Sequence, residues 1–304
     1  NIGFASSTWV AQVPTLSNWF ITKRGLALGI SSSAQGTAFI LNFFTPMLIL
    51  TLGWRMSYVF FAVLILFVTL PFAAIFHRDN PEQKNTVADE PFLKSNNLST
   101  KEKKPFSNNI SNDSVNFLSI RFILFLILFL PIAYVFTVLL VHFPAHMTDQ
   151  GITESSSAGI FAIWGAFLII GYLISSISDY YGRTPTFLTG SLLGVISMFL
   201  IGRYNVSSSS WIIYVLTMSN GIALGLVRST ASAIMADHFS GKEFGKTNGM
   251  AMCLFAIFGG FGAWFTGFLY DLHSDYSWGF SIASITLMIS GISAIFLSIQ
   301  VKRV

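Results

Sequence analysis

Long apolar segments recur along almost the whole chain, and they restrict its fold more than any other feature of the sequence. A helix that crosses a bilayer needs about 20 mainly apolar residues. Segments of this kind occupy residues 1–19, 26–50, 54–76, 117–142, 156–178, 185–203, 210–236, 246–270 and 278–300. Because backbone N–H and C=O groups in lipid must be satisfied within the segment, each one is predicted to be a helix. The sequence therefore predicts an all-α polytopic membrane protein.

The composition agrees with a membrane protein and excludes several soluble classes. Charged residues make up 10% of the chain and hydrophobic residues 53%, whereas a soluble domain is about 25% charged. The net charge of +4 is not arranged as a basic stripe interleaved with aromatic residues, so nucleic-acid binding is not expected. The single cysteine, Cys253, excludes a disulfide framework and a cysteine-rich metal site.

Residues 77–116 differ from the rest of the chain because they are polar, contain three prolines and carry a short lysine-rich run. This composition predicts a disordered linker. It divides the chain into residues 1–76, with three spans, and residues 117–304, with six spans. When the linker is placed in the cytoplasm, most Lys and Arg residues of the short loops fall on the same side, as the positive-inside rule requires. The C-terminus is then cytoplasmic as well.

Two stretches, residues 19–55 and 238–280, present similar features in the same order. In each, a basic loop leads into a helix rich in small residues, and a tryptophan opens the next helix. The spacing from Phe20 to the next lysine equals the spacing from Phe239 to its lysine. Read as an internal repeat, the pattern predicts two parallel helix bundles. The alternative is that any two helical hairpins share these features.

Several motifs carry a resemblance to a known family. The run from Asn18 to Ile30, NWFITKRGLALGI, is followed by the tripeptide Gly53-Trp-Arg. Further along come the hexapeptide SDYYGR, which ends at Arg183, and the tetrapeptide VHFP, which ends at Pro144. Together with the spacing of Gly221, Gly225, Arg228 and Phe239, these motifs resemble the major facilitator superfamily. Within it they resemble the monocarboxylate and oxalate/formate-type facilitators.

This resemblance implies a fold of two six-helix bundles and secondary transport by alternating access. It covers helices four to twelve, so nine of twelve helices are expected here and the chain is expected to be N-terminally truncated. Two positions depart from the D-x-x-G-R loop signature between the eighth and ninth helices. Ser175 stands where glycine is usual, and Tyr180 stands where a basic residue is usual.

Arg228 is the leading candidate for a substrate-binding residue. It lies well inside a predicted span, where a charge is costly and usually faces a bundle interior or a water-filled path. Gly221, Gly225 and Ser232 share its helical face, and such small residues let neighbouring helices approach closely. Two interpretations remain open. The guanidinium binds a carboxylate in bidentate geometry, or it is structural and bonds to backbone carbonyls.

A polar stripe formed by Ser31, Gln35 and Asn42 follows one face of an otherwise apolar helix. Such a stripe in lipid belongs inside the protein, where it lines the substrate path or promotes helix association. We favour helix association for Ser31 and carry Gln35 and Asn42 as substrate-binding candidates.

His142 and His146 flank Pro144 at a predicted outer helix end. Histidine titrates near physiological pH, so a role in proton coupling or binding is conceivable for His142. For His146 an ordinarily solvated loop histidine is the preferred interpretation. No carboxylate or cysteine stands near these two at ligand spacing, so a metal site is not expected. Two mid-span aromatic residues, Tyr134 and Trp164, are further cavity candidates, with plain packing as the alternative.

A second set of candidates belongs to gating rather than to substrate binding. Asp179 and Arg183 lie between two spans on the predicted cytoplasmic side, and Gly182 supplies the bend between them. A charge network there could break and reform as the two halves move. Lys23 and Arg24 stand in the corresponding basic loop of the first half. The alternative is an ordinary positive-inside turn.

The leading hypothesis is secondary transport of a small organic anion, such as a monocarboxylate, as symporter or antiporter and possibly coupled to protons. A drug or metabolite exporter of the same superfamily is the first alternative, and a non-transporting membrane receptor is the second. No enzyme is expected, because catalytic motifs such as H-E-x-x-H and G-x-S-x-G are missing. We expect a monomer in the plasma (inner) membrane, without cofactor or metal.

Overall fold

Helices form all the regular secondary structure in the described part of the computed structural model, as a bilayer environment requires. The structure describes residues 13, 15, 16, 19, 20, 23–76, 78, 117, 119–205, 210–239 and 244–302. The helices of the first part are α1 (Arg24–Asn42), α2 (Thr45–Leu64), a π-helical turn (Ile65–Thr69) and α3 (Leu70–Phe76). Those of the second part are α4 (Ile120–Asp149), α5 (Glu154–Ile174), a 3-10 turn (Ser175–Ile177), α6 (Ser178–Tyr181), α7 (Arg183–Gly202), α8 (Trp211–His238), α9 (Phe244–His273) and α10 (Ser277–Lys302).

Seven helical stretches in the described residues are long and apolar enough to cross a membrane, so the chain is an integral multi-pass membrane protein. They are Met47–Ile75, Ile120–Asp149, Glu154–Tyr181, Arg183–Gly202, Trp211–His238, Phe244–His273 and Ser277–Gln300. The apolar part of α1, Gly25–Leu41, is shorter. Most of the predicted first span, residues 1–19, lies outside the described residues. The count of nine spans therefore stays a prediction.

The boundary between the second and third predicted spans is wrong. The sequence placed it at residues 51–53, whereas α1 already ends at Asn42 and α2 begins at Thr45. A proline in the first turn of α2 suits a helix start, because its missing N–H is not needed there. Gly53, which was expected to separate two helices, instead kinks one helix through its positive φ of 74°.

The predicted end of the fourth span is also wrong. Helix α4 continues past residue 142 through Pro144 to Asp149. Phe143 and Met147 are buried in this extension, so packing holds the helix where the proline removes one hydrogen bond. His142 and His146 are consequently helical and largely buried. The interpretation of His146 as an ordinarily solvated loop histidine is thereby contradicted.

Helices α4, α5 and α7 to α10 pack into one bundle. Helix α4 packs against α9 and α10, α10 against α7, α7 against α8, and α8 against α5. The buried side chains between them are mostly large and apolar, as in Phe125, Leu168 and Leu287. The predicted linker, residues 77–116, lies outside the described residues except for Arg78, so the division of the chain into 1–76, 77–116 and 117–304 stays a prediction.

Helix α1 lies against the outside of this bundle, along α5. Glycines make the contact close. A Cβ atom added to Gly29 would stand 2.3 Å from the carbonyl oxygen of Tyr172, and one added to Gly36 would stand 2.6 Å from that of Gly165. The span Met47–Ile75 is, by contrast, exposed along its length. The α1–α5 contact therefore joins the first part of the chain to the bundle.

Candidate functional site

The two ends of the bundle can be named by their acidic residues. Helix α5 begins at Glu154 and its continuation ends next to Asp179. We call these ends the Glu154 side and the Asp179 side. Helix α1 begins on the Asp179 side, where the backbone of Gly25 contacts the Asp179 carboxylate.

Arg228 lies deep inside the bundle, on the face of α8 that meets α5. Arg228 is only 7% exposed. Added Cβ atoms at Gly221 and Gly225 would stand 2.7 Å from the Trp164 oxygen and 2.5 Å from the Leu168 oxygen. The small residues on this face thus allow a close α8–α5 approach, as the sequence led us to expect.

Aromatic rings border the Arg228 guanidinium on two sides. Its Cζ atom lies 4.8 Å from the ring centre of Phe136 on α4 and 5.0 Å from that of Phe255 on α9. Cation–π contacts of this kind offset part of the cost of burying the charge. Helices α4, α8 and α9 therefore meet around one buried positive charge.

Tyr172 connects this charge to α1. The Tyr172 side chain on α5 is fully buried and lies close enough to interact electrostatically with Arg228. Its hydroxyl donates a hydrogen bond of 2.8 Å to Oε1 of Gln35. Gln35 is thereby bonded to a residue in the electrostatic surroundings of Arg228, whereas the side chain of Asn42 lies outside the described residues.

A cluster of aromatic side chains stands on the Glu154 side of Arg228. Phe39 of α1 lies 5.9 Å from Phe136 and 5.2 Å from Trp164, measured between ring centres. Phe161 stacks on Trp164 at 5.1 Å. The indole N–H of Trp164 donates a hydrogen bond of 3.1 Å to Oδ1 of Asn220 on α8, so this buried donor has a partner inside the bundle. Trp164 therefore reaches Arg228 through Phe136, whose ring centre lies 5.7 Å from that of Trp164.

Beyond this cluster lies a cavity of about 290 Å³ on the Glu154 side. Its lining is mainly apolar and includes one acidic residue, Glu154. The lining residues are Phe39, Phe43, Pro144, Ala145, Thr148, Glu154, Ser157, Ala158 and Phe161. Phe39 and Phe161 thus belong both to the cavity and to the aromatic cluster.

Three other residues considered as candidates have contacts elsewhere. The Tyr134 hydroxyl lies 3.2 Å from Oγ1 of Thr266 on α9. The Nε2 atom of His142 lies 2.8 Å from the Ala263 carbonyl oxygen, and that of His146 lies 3.0 Å from the Ile201 carbonyl oxygen. These contacts join α4 to its neighbours α9 and α7. The structure does not bring Tyr134 or His142 into the described contacts of Arg228.

The loop before α10 carries a carboxylate with a shifted pKa. Burial acts to raise the pKa of Asp275, but hydrogen bonds from the Ser277 hydroxyl and backbone N–H and the positive charges of His146 and Arg203 outweigh it. The pKa of Asp275 therefore lies below its ordinary value. The Ser277 N–H is in the first turn of α10, where backbone N–H groups have no partner within the helix. The Asp275 carboxylate accepts a hydrogen bond from this N–H.

Three of the five predicted gating residues, Asp179, Gly182 and Arg183, lie together on the Asp179 side. Oδ1 of Asp179 accepts a hydrogen bond from the backbone N–H of Gly25 at 3.0 Å, and Oδ2 accepts one from Leu26 at 3.1 Å. A carboxylate at the N-terminus of a helix is favoured both by these unpaired N–H groups and by the helix dipole. Asp179 therefore holds the start of α1 against the end of α5.

Arg183 completes this group, which we call the Asp179 cluster (Asp179, Arg183, Asp237 and the N-terminus of α1). The Arg183 guanidinium lies 2.5 Å from Asp179 and 2.9 Å from Asp237 of α8. Gly182 has a φ of 98°, which allows the chain to turn between α6 and α7. Lys23 is exposed next to the start of α1, and the side chain of Arg24 lies outside the described residues.

Sequence reasoning missed several residues of these two sites. Phe136 and Phe255 border Arg228, Tyr172 lies against α8 at Gly225, and Asp237 pairs with Arg183. One signal was available for Tyr172, because it follows Trp164 by eight residues and so shares its helical face. For the two phenylalanines no local pattern distinguishes them from the other aromatic residues of the chain.

No group of three or more His, Cys, Asp or Glu side chains suited to a metal ion occurs among the described residues. The comparison with protein families gives one positive result. The family model described as Major Facilitator Superfamily matches residues 2–179 and 166–303. No curated protein matches the chain.

Proposed function

The chain belongs to the Major Facilitator Superfamily and is a secondary transporter of that family, and we propose that it moves a small organic anion of the monocarboxylate kind by alternating access. In this proposal Arg228 is the anion-binding residue. The observation that carries the proposal is the buried guanidinium with the rings of Phe136 and Phe255 against it.

The chemistry of this position suits a carboxylate. A guanidinium presents parallel N–H donors that match the two carboxylate oxygens, and the interaction is stronger away from water. The bordering phenylalanine rings add apolar surface for the carbon skeleton of a small acid. The Tyr172 hydroxyl donates its single proton to Gln35, so it orients the Gln35 side chain and is not a donor for the anion in this arrangement.

Alternating access requires a contact that forms on one side of the membrane while the other side is open. The Asp179 cluster joins α1 to α5, α7 and α8 on the Asp179 side. A cavity bordered by Phe39 of α1 opens between α1 and the ends of α4 and α5 on the Glu154 side. We propose that this arrangement is the state closed on the Asp179 side, and that the Asp179 side faces the cytoplasm.

An exporter of amphipathic cations is the second candidate. The observation in its favour is the cavity itself, whose lining combines three phenylalanines, Phe39, Phe43 and Phe161, with the acidic residue Glu154. Aromatic faces and a carboxylate together suit an organic cation. In this alternative Arg228 is a structural residue and the transported molecule stays on its Glu154 side.

The test is an uptake experiment with the full-length gene product in liposomes. Labelled monocarboxylates, dicarboxylates and cationic drugs are compared for wild type, Arg228→Gln, Arg228→Lys and Glu154→Gln. Saturable anion uptake that both Arg228 substitutions weaken, with Glu154→Gln close to wild type, supports the anion proposal. Cation transport that depends on Glu154 and is indifferent to Arg228 supports the exporter instead.

A further inference from the structure

The cavity on the Glu154 side and the Arg228 guanidinium are separated by a thin layer of aromatic rings. Phe39 and Phe161 line the cavity. Phe136 and Trp164 stand behind them, at centre-to-centre distances of 5.9 Å from Phe39 to Phe136 and 5.1 Å from Phe161 to Trp164. Phe136 in turn lies on the guanidinium, 4.8 Å from Cζ. A molecule entering from the cavity therefore meets Phe136 before it meets Arg228.

We propose that Phe136 is the gate between the cavity on the Glu154 side and Arg228. In the arrangement described here its ring stands between the cavity and the guanidinium, 4.8 Å from Cζ, so an entering anion cannot reach the guanidinium N–H donors past it. When the ring turns away, these donors become accessible from the cavity, and when the anion leaves, the ring returns. The inference rests on the proposed function, because it takes Arg228 as the binding residue.

Phe39 provides the link between this gate and the motion of α1. Its ring contacts both Phe136 and Trp164, and it belongs to the helix that the Asp179 cluster holds against α5. An added Cβ at Gly165 would stand 2.7 Å from the Cβ of Phe39, so Phe39 sits at a close point of the α1–α5 contact. Movement of α1 away from α5 removes the support on one side of Phe136 and frees its ring.

Ordinary core packing is the alternative role for Phe136, and a matched residue separates the two. Phe125 is also buried on α4, but its ring contacts are with Phe129 and Phe239. The two phenylalanines are eleven residues apart, about 16 Å along the helix. If Phe136 is only packing, truncating either residue loosens the bundle in a similar way. If Phe136 is a gate, only its truncation exposes Arg228.

The experiment uses phenylglyoxal, a reagent that modifies arginine, on the purified protein in nanodiscs. The modified fraction of Arg228 is followed over time by peptide mass spectrometry, with the exposed Arg203 as internal reference. We expect slow modification of Arg228 in wild type and in Phe125→Ala. In Phe136→Ala we expect it about tenfold faster, which corresponds to a tenfold larger population of accessible guanidinium. Phe136→Leu keeps more of the side-chain volume and replaces the alanine variant if that variant does not fold. Its rate of Arg228 modification should lie between those of wild type and Phe136→Ala.

Equal rates in the Phe136 and Phe125 variants, or a wild-type rate in the Phe136 variants, would overturn the gate. A protection arm tests the binding residue separately, with saturating monocarboxylate added to Phe136→Leu. Protection of Arg228 supports both proposals. Fast modification that the anion does not slow leaves Phe136 as the barrier in front of Arg228 but removes Arg228 as the anion site.

Discussion

Arg183 and Arg228 both place a positive charge near lipid, and their surroundings stabilise that charge in different ways. Arg183 lies at the end of a helix, is partly exposed and makes ion pairs with Asp179 and Asp237. Arg228 lies in the middle of α8, is buried, and has the rings of Phe136 and Phe255 against its guanidinium.

This difference suits two different tasks. Ion pairs at a partly exposed position gain little net free energy, so they can break and reform as helices move. Aromatic rings, in contrast, attract a cation without supplying a negative charge, and a ring can be displaced by a carboxylate, which interacts more strongly. We therefore interpret Arg183 as part of a closing contact and Arg228 as a binding residue. The predictions below test this division.

The largest expected effect comes from removing the two charges one at a time. Arg228→Gln should lower the kcat/KM of anion uptake by at least about 30-fold, because losing one partner of a buried charge pair costs about 2–5 kcal/mol. Arg183→Gln should lower it by less, about two- to 30-fold, because its two partly exposed ion pairs contribute up to about 1 kcal/mol each. Uptake kinetics in liposomes measure both. Arg203→Gln is the control, since Arg203 is exposed and also lies on a phenylalanine ring, at 4.6 Å from Phe199. Similar losses at 183 and 228 would contradict the division.

A smaller effect is expected where α1 meets α5. In Gly29→Ala the new methyl group would stand 2.3 Å from the Tyr172 oxygen, and overpacking of this kind costs about 1–3 kcal/mol. The closed arrangement on the Asp179 side should lose that free energy. The distance between spin labels on α1 and α7 then reports a larger open population than in wild type. Gly260→Ala is the matched control, because a Cβ there meets nothing within 4 Å. An unchanged distance distribution in Gly29→Ala would count against α1 as a moving element.

Much of this architecture could be predicted from the sequence. Span length and charge bias are local properties, so the helical segments from residue 117 onward were predicted with few errors. The burial of Arg228 and the close approach at Gly221 and Gly225 also follow from helical periodicity. Gly182 was predicted as the bend beside Asp179, and the structure confirms its positive φ.

The rest depended on which helices are neighbours, and local sequence does not contain that information. Phe136 resembles the other phenylalanines of α4 until α8 is placed beside it. Asp237 stands at the end of α8, and no local pattern links it to Arg183, which lies 2.9 Å away. The mistaken interpretation of His146 had a different cause. Pro144 was taken as a helix end, although burial of the residues around it holds the helix together.

The third prediction separates two roles inside the Asp179 cluster. Asp179 binds Arg183 and also accepts two N–H groups of α1, whereas Asp237 belongs to α8 and forms its ion pair with Arg183 at 2.9 Å. Asp179→Asn should therefore weaken the closed arrangement by about 1–2 kcal/mol, the usual range for losing a helix cap plus an ion pair. Asp237→Asn should weaken it by less than about 1 kcal/mol. The same α1–α7 distance measurement ranks the two variants. A larger effect of Asp237→Asn would mean that the ion pair, and not the hold on α1, closes this side.

The smallest effect is expected for a single hydroxyl that joins the Arg228 site to α1. Tyr172→Phe removes the hydrogen bond to Gln35, which should cost about 1 kcal/mol and so reduce anion uptake about fivefold. Tyr134→Phe is a close control, because it removes a buried hydroxyl contact of the same kind, with Thr266 on α9. Both variants should unfold at similar temperatures, since each loses one buried contact. Only Tyr172→Phe should also shift the α1–α7 distances, because only Tyr172 bonds to α1. If the α1–α7 distances are the same in both variants, the Tyr172–Gln35 hydrogen bond does not couple the Arg228 site to α1. Arg183 and Arg228 then act independently.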